Sequence, residues 1–279
     1  MFVLHKNPAI HASAEAAAEP IRDARQRLAD ASRGLTFEPE EHRYFLGGRE
    51  LRSVSSIVEH FAPFDTVAMA RRCAVNPRHP LYGKTPEEII ELWTLKRDNA
   101  AEAGTRVHAF GEACCSFLLD REDEMEPRFR EMITEEGLVA TEPKDVAVAR
   151  WWAENDWTRY AFVAKETRIV NPTLHYAGTF DLLLYDLLLQ GFAQKDYKTN
   201  EDLYKWYGDM LVPPLNRIKS NDIGKYTVQQ TLYTIELRNI GIPIISNDLI
   251  WLRENEYETV QLDMRYDKIV SYAVSQLAA

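Results

Sequence analysis

The feature that most restricts how this chain can fold is a succession of three β-rich segments between residues 161 and 199. AFVAKETRIV (161–170), AGTFDLLLYD (177–186) and GFAQKDYKT (191–199) are rich in β-branched and aromatic residues, with turn material between them. Gly191 stands in the last connection, so the second and third segments read as a hairpin. Strands that apolar must be covered, and helical patterns are available on both sides in sequence. Thr85-Pro86-Glu87-Glu88 opens one helix with a cap, a proline at the first position and a glutamate at the third. Its pattern continues to about Leu119, with a bend expected near Gly104. Residues 144–158 and 225–239 carry further helices, 247–255 and 257–264 further strands, and a helix closes the chain. This order predicts an α/β (α+β) fold with a central mixed β-sheet flanked by helices.

The first part of the chain reads as an addition to that core. Residues 1–34 predict one or two helices, forming an N-terminal arm, and 35–54 a hairpin around Gly47-Gly48. Ser56 with Glu59 suggests a capping box opening a short helix. The expected division is 1–99 for the helical arm, hairpin and helices, and 100–279 for the core.

Asp196 and Lys198 are one residue apart on a predicted strand. Strand side chains alternate faces, so both project to the same side about 6.5–7 Å apart. Asp181 lies on the neighbouring strand in an otherwise apolar run, and a hairpin brings it beside Asp196. Two carboxylates so placed repel unless a cation lies between them. A hard divalent ion such as Mg²⁺ suits oxygen ligands, and the lysine would stabilise charge on a reacting phosphate. Taken alone, D-x-K is more often an edge-strand ion pair of little energetic weight.

The residues Ala177-Gly178-Thr179-Phe180-Asp181 followed by Gln194-Lys195-Asp196-Tyr197-Lys198-Thr199 resemble the PD-(D/E)xK nuclease superfamily, specifically its RecB-like exonuclease branch. Two further motifs extend the resemblance over roughly residues 100–240. Upstream, Gly104-Thr105-Arg106-Val107-His108 matches the branch's G-T-x-x-H helix, with Glu112 four residues after the histidine. Downstream, Gln229 and Tyr233 match Q-x-x-x-Y. The resemblance implies a restriction-endonuclease-like core and a DNA nuclease using Mg²⁺ or Mn²⁺. It implies His108, Asp181, Asp196 and the backbone carbonyl of Tyr197 as metal ligands, and Lys198 as the catalytic cation. Glu112 would orient His108 or water, Gln229 and Tyr233 would hold phosphate or the lysine, and Glu166 would be structural or accessory. The order of all four motifs disfavours two alternatives: a catalytically inactive DNA-binding or scaffolding module with this fold, and an unrelated α/β hydrolase.

Composition narrows the remaining classes. Three cysteines (Cys73, Cys114 and Cys115) make no zinc or iron–sulfur spacing, so no iron–sulfur cluster is expected. No Walker A loop is present, which suggests a standalone, phage-type nuclease. A formal net charge of −10 argues against attraction of nucleic acid to the whole surface, leaving local grooves as the binding elements. Arg106 and the basic stretch after Lys198 are candidates for contact with DNA ends. Tyr204, Trp206 and Tyr207 are candidate stacking groups, although a loop packing its own aromatics explains them as well. The Pro-rich segment LVPPLNRIKSND suggests a mobile flap. No apolar stretch is long enough for a signal peptide or a membrane span, so a cytoplasmic location is expected, the host cytoplasm for a phage protein. A homo-oligomer or a recombination or replication protein is an open partner.

Overall fold

The computed structural model of the chain describes residues 1–278. In chain order the elements are β1 (Phe2–Leu4), α1 (Ala9–Ala16), α2 (Ala18–Ala31), β2 (Leu35–Glu38), β3 (Arg43–Leu46), β4 (Arg49–Ser53), α3 (Val54–Phe61), α4 (Thr66–Val75) and α5 (Pro86–Leu118). Then follow α6 (Pro127–Arg130), β5 (Leu138–Ala140), α7 (Pro143–Glu154), β6 (Tyr160–Asn171), β7 (Tyr176–Asp186), β8 (Gly191–Lys198), α8 (Asp222–Asn239), β9 (Ile244–Leu252), β10 (Tyr257–Gln261) and α9 (Asp267–Ala278).

The main sheet is mixed and runs β10-β9-β8-β7-β4-β3-β2, with β6 also paired to β7. Helices cover both faces. On one, Val107, Phe110 and Cys114 of α5 and Trp151 and Trp152 of α7 pack on Leu182, Leu184, Ala193 and Tyr197. On the other, Val228, Leu232 and Leu237 of α8, with residues of α2, α3 and α9, pack on Leu183, Phe192 and Ile244. Double coverage explains why 180–186 reads as an almost continuous apolar run rather than an alternating one. Each leucine of the 182–184 triplet buries its side chain completely or nearly so, a gain of about 1.5–3 kcal/mol apiece.

The connectivity leaves an opening in the middle of the sheet. β6 follows β7 along its whole length on one side. On the other side β8 pairs with residues 182–186 of β7, and β4 pairs in parallel with Tyr176 and Ala177. Residues 178–181 therefore have a strand on one side only. The segment Gly178-Thr179-Phe180-Asp181 lines this window.

Two local expectations need correction. α5 is unbroken from Pro86 to Leu118, running through Gly104 without a break. A Cβ there would lie 3.7 Å from Thr199 Oγ1, so Gly104 sits close against the end of β8, and a single helical glycine costs only about 1 kcal/mol. α3 begins at Val54 and is capped by Ser53, whose side chain accepts from the Ser56 N–H at 3.0 Å; Ser56 is inside the helix. The two-stranded β1–β5 ladder was not foreseen, because three-residue strands are too short to show periodicity. The Thr85–Glu88 capping box is present as expected. α1 and α2 bury Ile10, Ile21, Ala24 and Leu28 in the core, and residue 100 lies inside α5. Among the described residues, no helix is long and apolar enough to cross a membrane.

Candidate metal centre and active site

The β7–β8 ladder runs from Asp186↔Gly191 to Leu182↔Lys195 and stops there. One more step would set Asp181 opposite Asp196. Instead the Asp181 carboxylate reaches across, and its Oδ2 accepts the Tyr197 backbone N–H at 2.8 Å. On the β6 side, Lys165 is opposite Leu182 and Thr167 opposite Phe180, which brings Glu166 beside Asp181. Glu166 has φ +42°, a left-handed conformation uncommon for a residue other than glycine, and it drops out of the ladder. Such local strain persists only where surrounding structure enforces it.

α5 supplies the third side chain. His108 Nδ1 lies 3.3 Å from Asp181 Oδ2 and 4.0 Å from Glu166 Oε1. Its ring meets that of Tyr197 edge-on, 5.7 Å between centroids. Gly111, one turn further along α5, makes this approach feasible, since a Cβ there would be 2.9 Å from Tyr197 Cε2. One donor atom each from His108, Glu166 and Asp181 lies within 4.8 Å of the others.

Asp196 and Lys198 project to one face of β8, as strand alternation requires, and form an ion pair. Asp196 Oδ2 is fully buried, and the Lys198 ammonium is its partner. Lys198 Nζ also lies over the Tyr226 ring, 4.4 Å from its centroid.

The electrostatics of the cluster share one sign. Burial alone would lower the His108 pKa, but Asp181 and Glu166 outweigh it and raise it to about 9. Burial, and then Glu166, push Glu112 up to about 7. Burial, and then the Asp181 charge, lift Asp196 to about 6. Burial also raises Asp181, against the pull of His108. Lys198 is raised as well, because Asp196 and its other anionic neighbours outweigh burial. Every one of these groups holds its proton longer than it would in water. For the three carboxylates burial is the leading cause, and for His108 and Lys198 it is the surrounding negative charge.

His108, Asp181, Tyr197, Asp196 and Lys198 are thus gathered at the window, with Tyr197 offering its backbone N–H to Asp181. Glu112 stands one turn beyond His108, near Glu166 and Lys165. Gln229 and Tyr233 come together on α8, 3.5 Å between Nε2 and the phenol oxygen, and line a cleft of about 100 Å³ with Ser53, Gly178 and Thr179. They face Gly178 at the window: a Cβ on Gly178 would lie 2.6 Å from Tyr233 Cε1.

Glu166 is the member that sequence reasoning under-rated. Its place follows from counting back along the β6–β7 hairpin, but its orientation depends on the left-handed backbone. Arg106, expected at the substrate, is instead paired at 2.6 Å with the buried carboxylate of Asp145, which needs a cationic partner. Lys195, just ahead of the basic stretch, is buried and paired with Asp248 at 2.6 Å. The Pro-rich segment is anchored rather than a free flap, with Leu211, Leu215 and Ile218 in the core.

No family model matches the chain, and no curated protein matches it. Among solved structures, a proposed exonuclease from Eubacterium rectale matches over 81% of this chain and 77% of its own, at 16% identity and a TM-score of 0.41.

Proposed function

We propose that the chain is a divalent-metal-dependent DNA nuclease of the RecB-like branch of the PD-(D/E)xK superfamily, acting as an exonuclease. The observation that carries this reading is the convergence of His108, Glu166 and Asp181 donor atoms beside the Asp196–Lys198 pair. The donor set fits a hard or borderline ion: one imidazole and several carboxylates. His108, Asp181, Asp196 and the Tyr197 carbonyl would hold Mg²⁺ or Mn²⁺, and we add Glu166 to that set. When bound, the ion would supply Lewis-acid polarisation of the phosphate and a lowered pKa for water.

The protein's own groups divide the remaining work. The Tyr197 N–H fixes the Asp181 carboxylate through Oδ2, the oxygen that also faces His108. Lys198, kept protonated by Asp196, donates to the phosphate oxygen on which charge accumulates. Glu112 orients His108 or water from one helical turn away. Gln229 and Tyr233 hold the sugar-phosphate backbone where it passes the window.

Digestion of end-labelled single- and double-stranded DNA in Mg²⁺, Mn²⁺ or EDTA tests the reading. Wild type should degrade DNA only with metal, and Asp196→Ala and Lys198→Ala should each lose at least about a hundredfold in rate. A folded wild type that cuts no DNA under any of these conditions would refute it.

A further inference from the structure

The loop between β8 and α8, residues 199–221, carries a cluster of exposed aromatic side chains on a folded base. Tyr204 is 53% exposed, Trp206 43% and Tyr207 79%, with Met210 at 40%. These values do not reflect a loose segment, because Leu203, Leu211, Leu215 and Ile218 of the same loop are buried. Backbone bonds pin it: Leu211 N–H to Ile218 O, Val212 N–H to Phe61 O and Ser220 N–H to Asp209 O, each at 2.9 Å. The loop has buried its aliphatic side chains and left its largest rings outside.

Cations stand beside those rings. Lys219 Nζ lies 4.7 Å from the Trp206 ring centroid, and Lys205 Nζ 5.3 Å from that of Tyr207. Two nearby acids are committed elsewhere: Asp202 accepts the Tyr204 and Lys205 backbone N–H groups, and Glu201 pairs with Lys96 of α5. The surface is also continuous with the candidate active site. Lys198 lies over Tyr226, whose hydroxyl donates to Asn200 Oδ1 at 2.8 Å. Trp251 Nε1 donates to the Asn200 carbonyl at 2.8 Å, and the Trp251 ring meets Tyr204 edge-on at 6.0 Å.

We infer that this loop is a stacking platform for single-stranded nucleic acid, on which unpaired bases lie against Tyr204, Trp206 and Tyr207 while Lys205 and Lys219 meet the phosphates. Exposed ring faces need exposed base faces, which a single strand presents and a duplex hides within its own stack. A chain of net charge −10 gains little from long-range attraction to a polyanion, so stacking must supply much of the affinity. The inference deepens the nuclease reading, and rests on it for the direction in which the strand runs.

The test is fluorescence anisotropy with fluorescein-labelled oligothymidylate and a labelled blunt duplex, both in EDTA, so that nothing is cut. Trp206→Ala with Tyr207→Ala should weaken oligothymidylate binding about tenfold or more, leaving duplex binding and the circular dichroism spectrum unchanged. Trp206→Phe with Tyr207→Phe should restore binding. Unchanged oligothymidylate affinity in the alanine pair would overturn the platform, as would equal losses on both DNAs. A concentration-dependent dimer abolished by the alanine pair, with DNA binding intact, would assign the patch to self-association and overturn it too. Cleavage by wild type, measured separately, keeps the two ideas apart. A cutting enzyme with unchanged oligothymidylate affinity in the alanine pair loses only the platform; a non-cutting protein that binds through Trp206 loses only the nuclease reading.

Discussion

Asp181 answers to two neighbours at once, accepting the Tyr197 N–H while facing His108. Its buried charge is unfavourable without a cation, as its raised pKa indicates. Asp181→Asn keeps an oxygen for the Tyr197 N–H and removes that charge. The variant should therefore melt in EDTA at or above the wild-type temperature, yet lose the stabilisation that Mn²⁺ gives wild type; calorimetry with and without Mn²⁺ reads both. A melting temperature well below wild type in EDTA would show that the carboxylate is needed for structure instead. Gly111→Ala forces a methyl to within 2.9 Å of Tyr197 Cε2 and should cost about 1–3 kcal/mol in urea denaturation. At this scale the sequence was informative wherever a side chain's direction follows from the period of its element. Asp196 and Lys198 share a strand face, and His108 precedes Glu112 by one helical turn. It placed Glu166 only as structural or accessory, because its aim depends on a positive φ, and it did not show that Arg106 pairs with the buried Asp145, distant in sequence.

Among the elements, the decisive feature is the gap along β7 between β8 and β4, where the ladder gives way and residues 178–181 are left with one strand neighbour. Its width depends on close approaches that only glycine permits. Gly178 faces Tyr233 Cε1 and Val54 Cγ2 at 2.6 and 2.9 Å from a notional Cβ, whereas Gly104 faces Thr199 Oγ1 at an ordinary 3.7 Å. Gly178→Ala should therefore cost about 1–3 kcal/mol and most of the activity, whereas Gly104→Ala should stabilise by up to about 1 kcal/mol and leave the activity unchanged. Equal effects in melting and cleavage assays would count against the window as the site's organiser. β6, β7, β8 and α8 were legible from apolar patterning and turn residues, and the start of α5 from its cap. The parallel pairing of β4 with β7 was not, because nothing local in residues 49–53 specifies a partner more than a hundred positions away. The β1–β5 ladder was too short to show a pattern.

For the molecule as a whole, the centre makes stability depend on pH and metal together. His108, Glu112 and Asp196 are all raised, to about 9, 7 and 6. A group with a raised folded-state pKa contributes stability that is full below its unfolded value and is lost as pH rises through the folded one. The contribution of this site in metal-free protein is thus complete below about pH 4 and declines up to about pH 9. A divalent ion would replace those protons, so its binding should release protons and tighten with pH. The Mn²⁺-induced rise in melting temperature should be larger at about pH 8 than at about pH 5.5; a rise independent of pH would mean that the ion binds elsewhere. The most direct test of the whole account is single-turnover cleavage of end-labelled DNA as Mn²⁺ is titrated, comparing wild type with Lys198→Ala. The account predicts saturable Mn²⁺ dependence in both, with similar half-saturation and a maximum rate at least about a hundredfold lower in the variant. Cleavage by Lys198→Ala as fast as wild type, or none by folded wild type at any Mn²⁺ concentration, would contradict it.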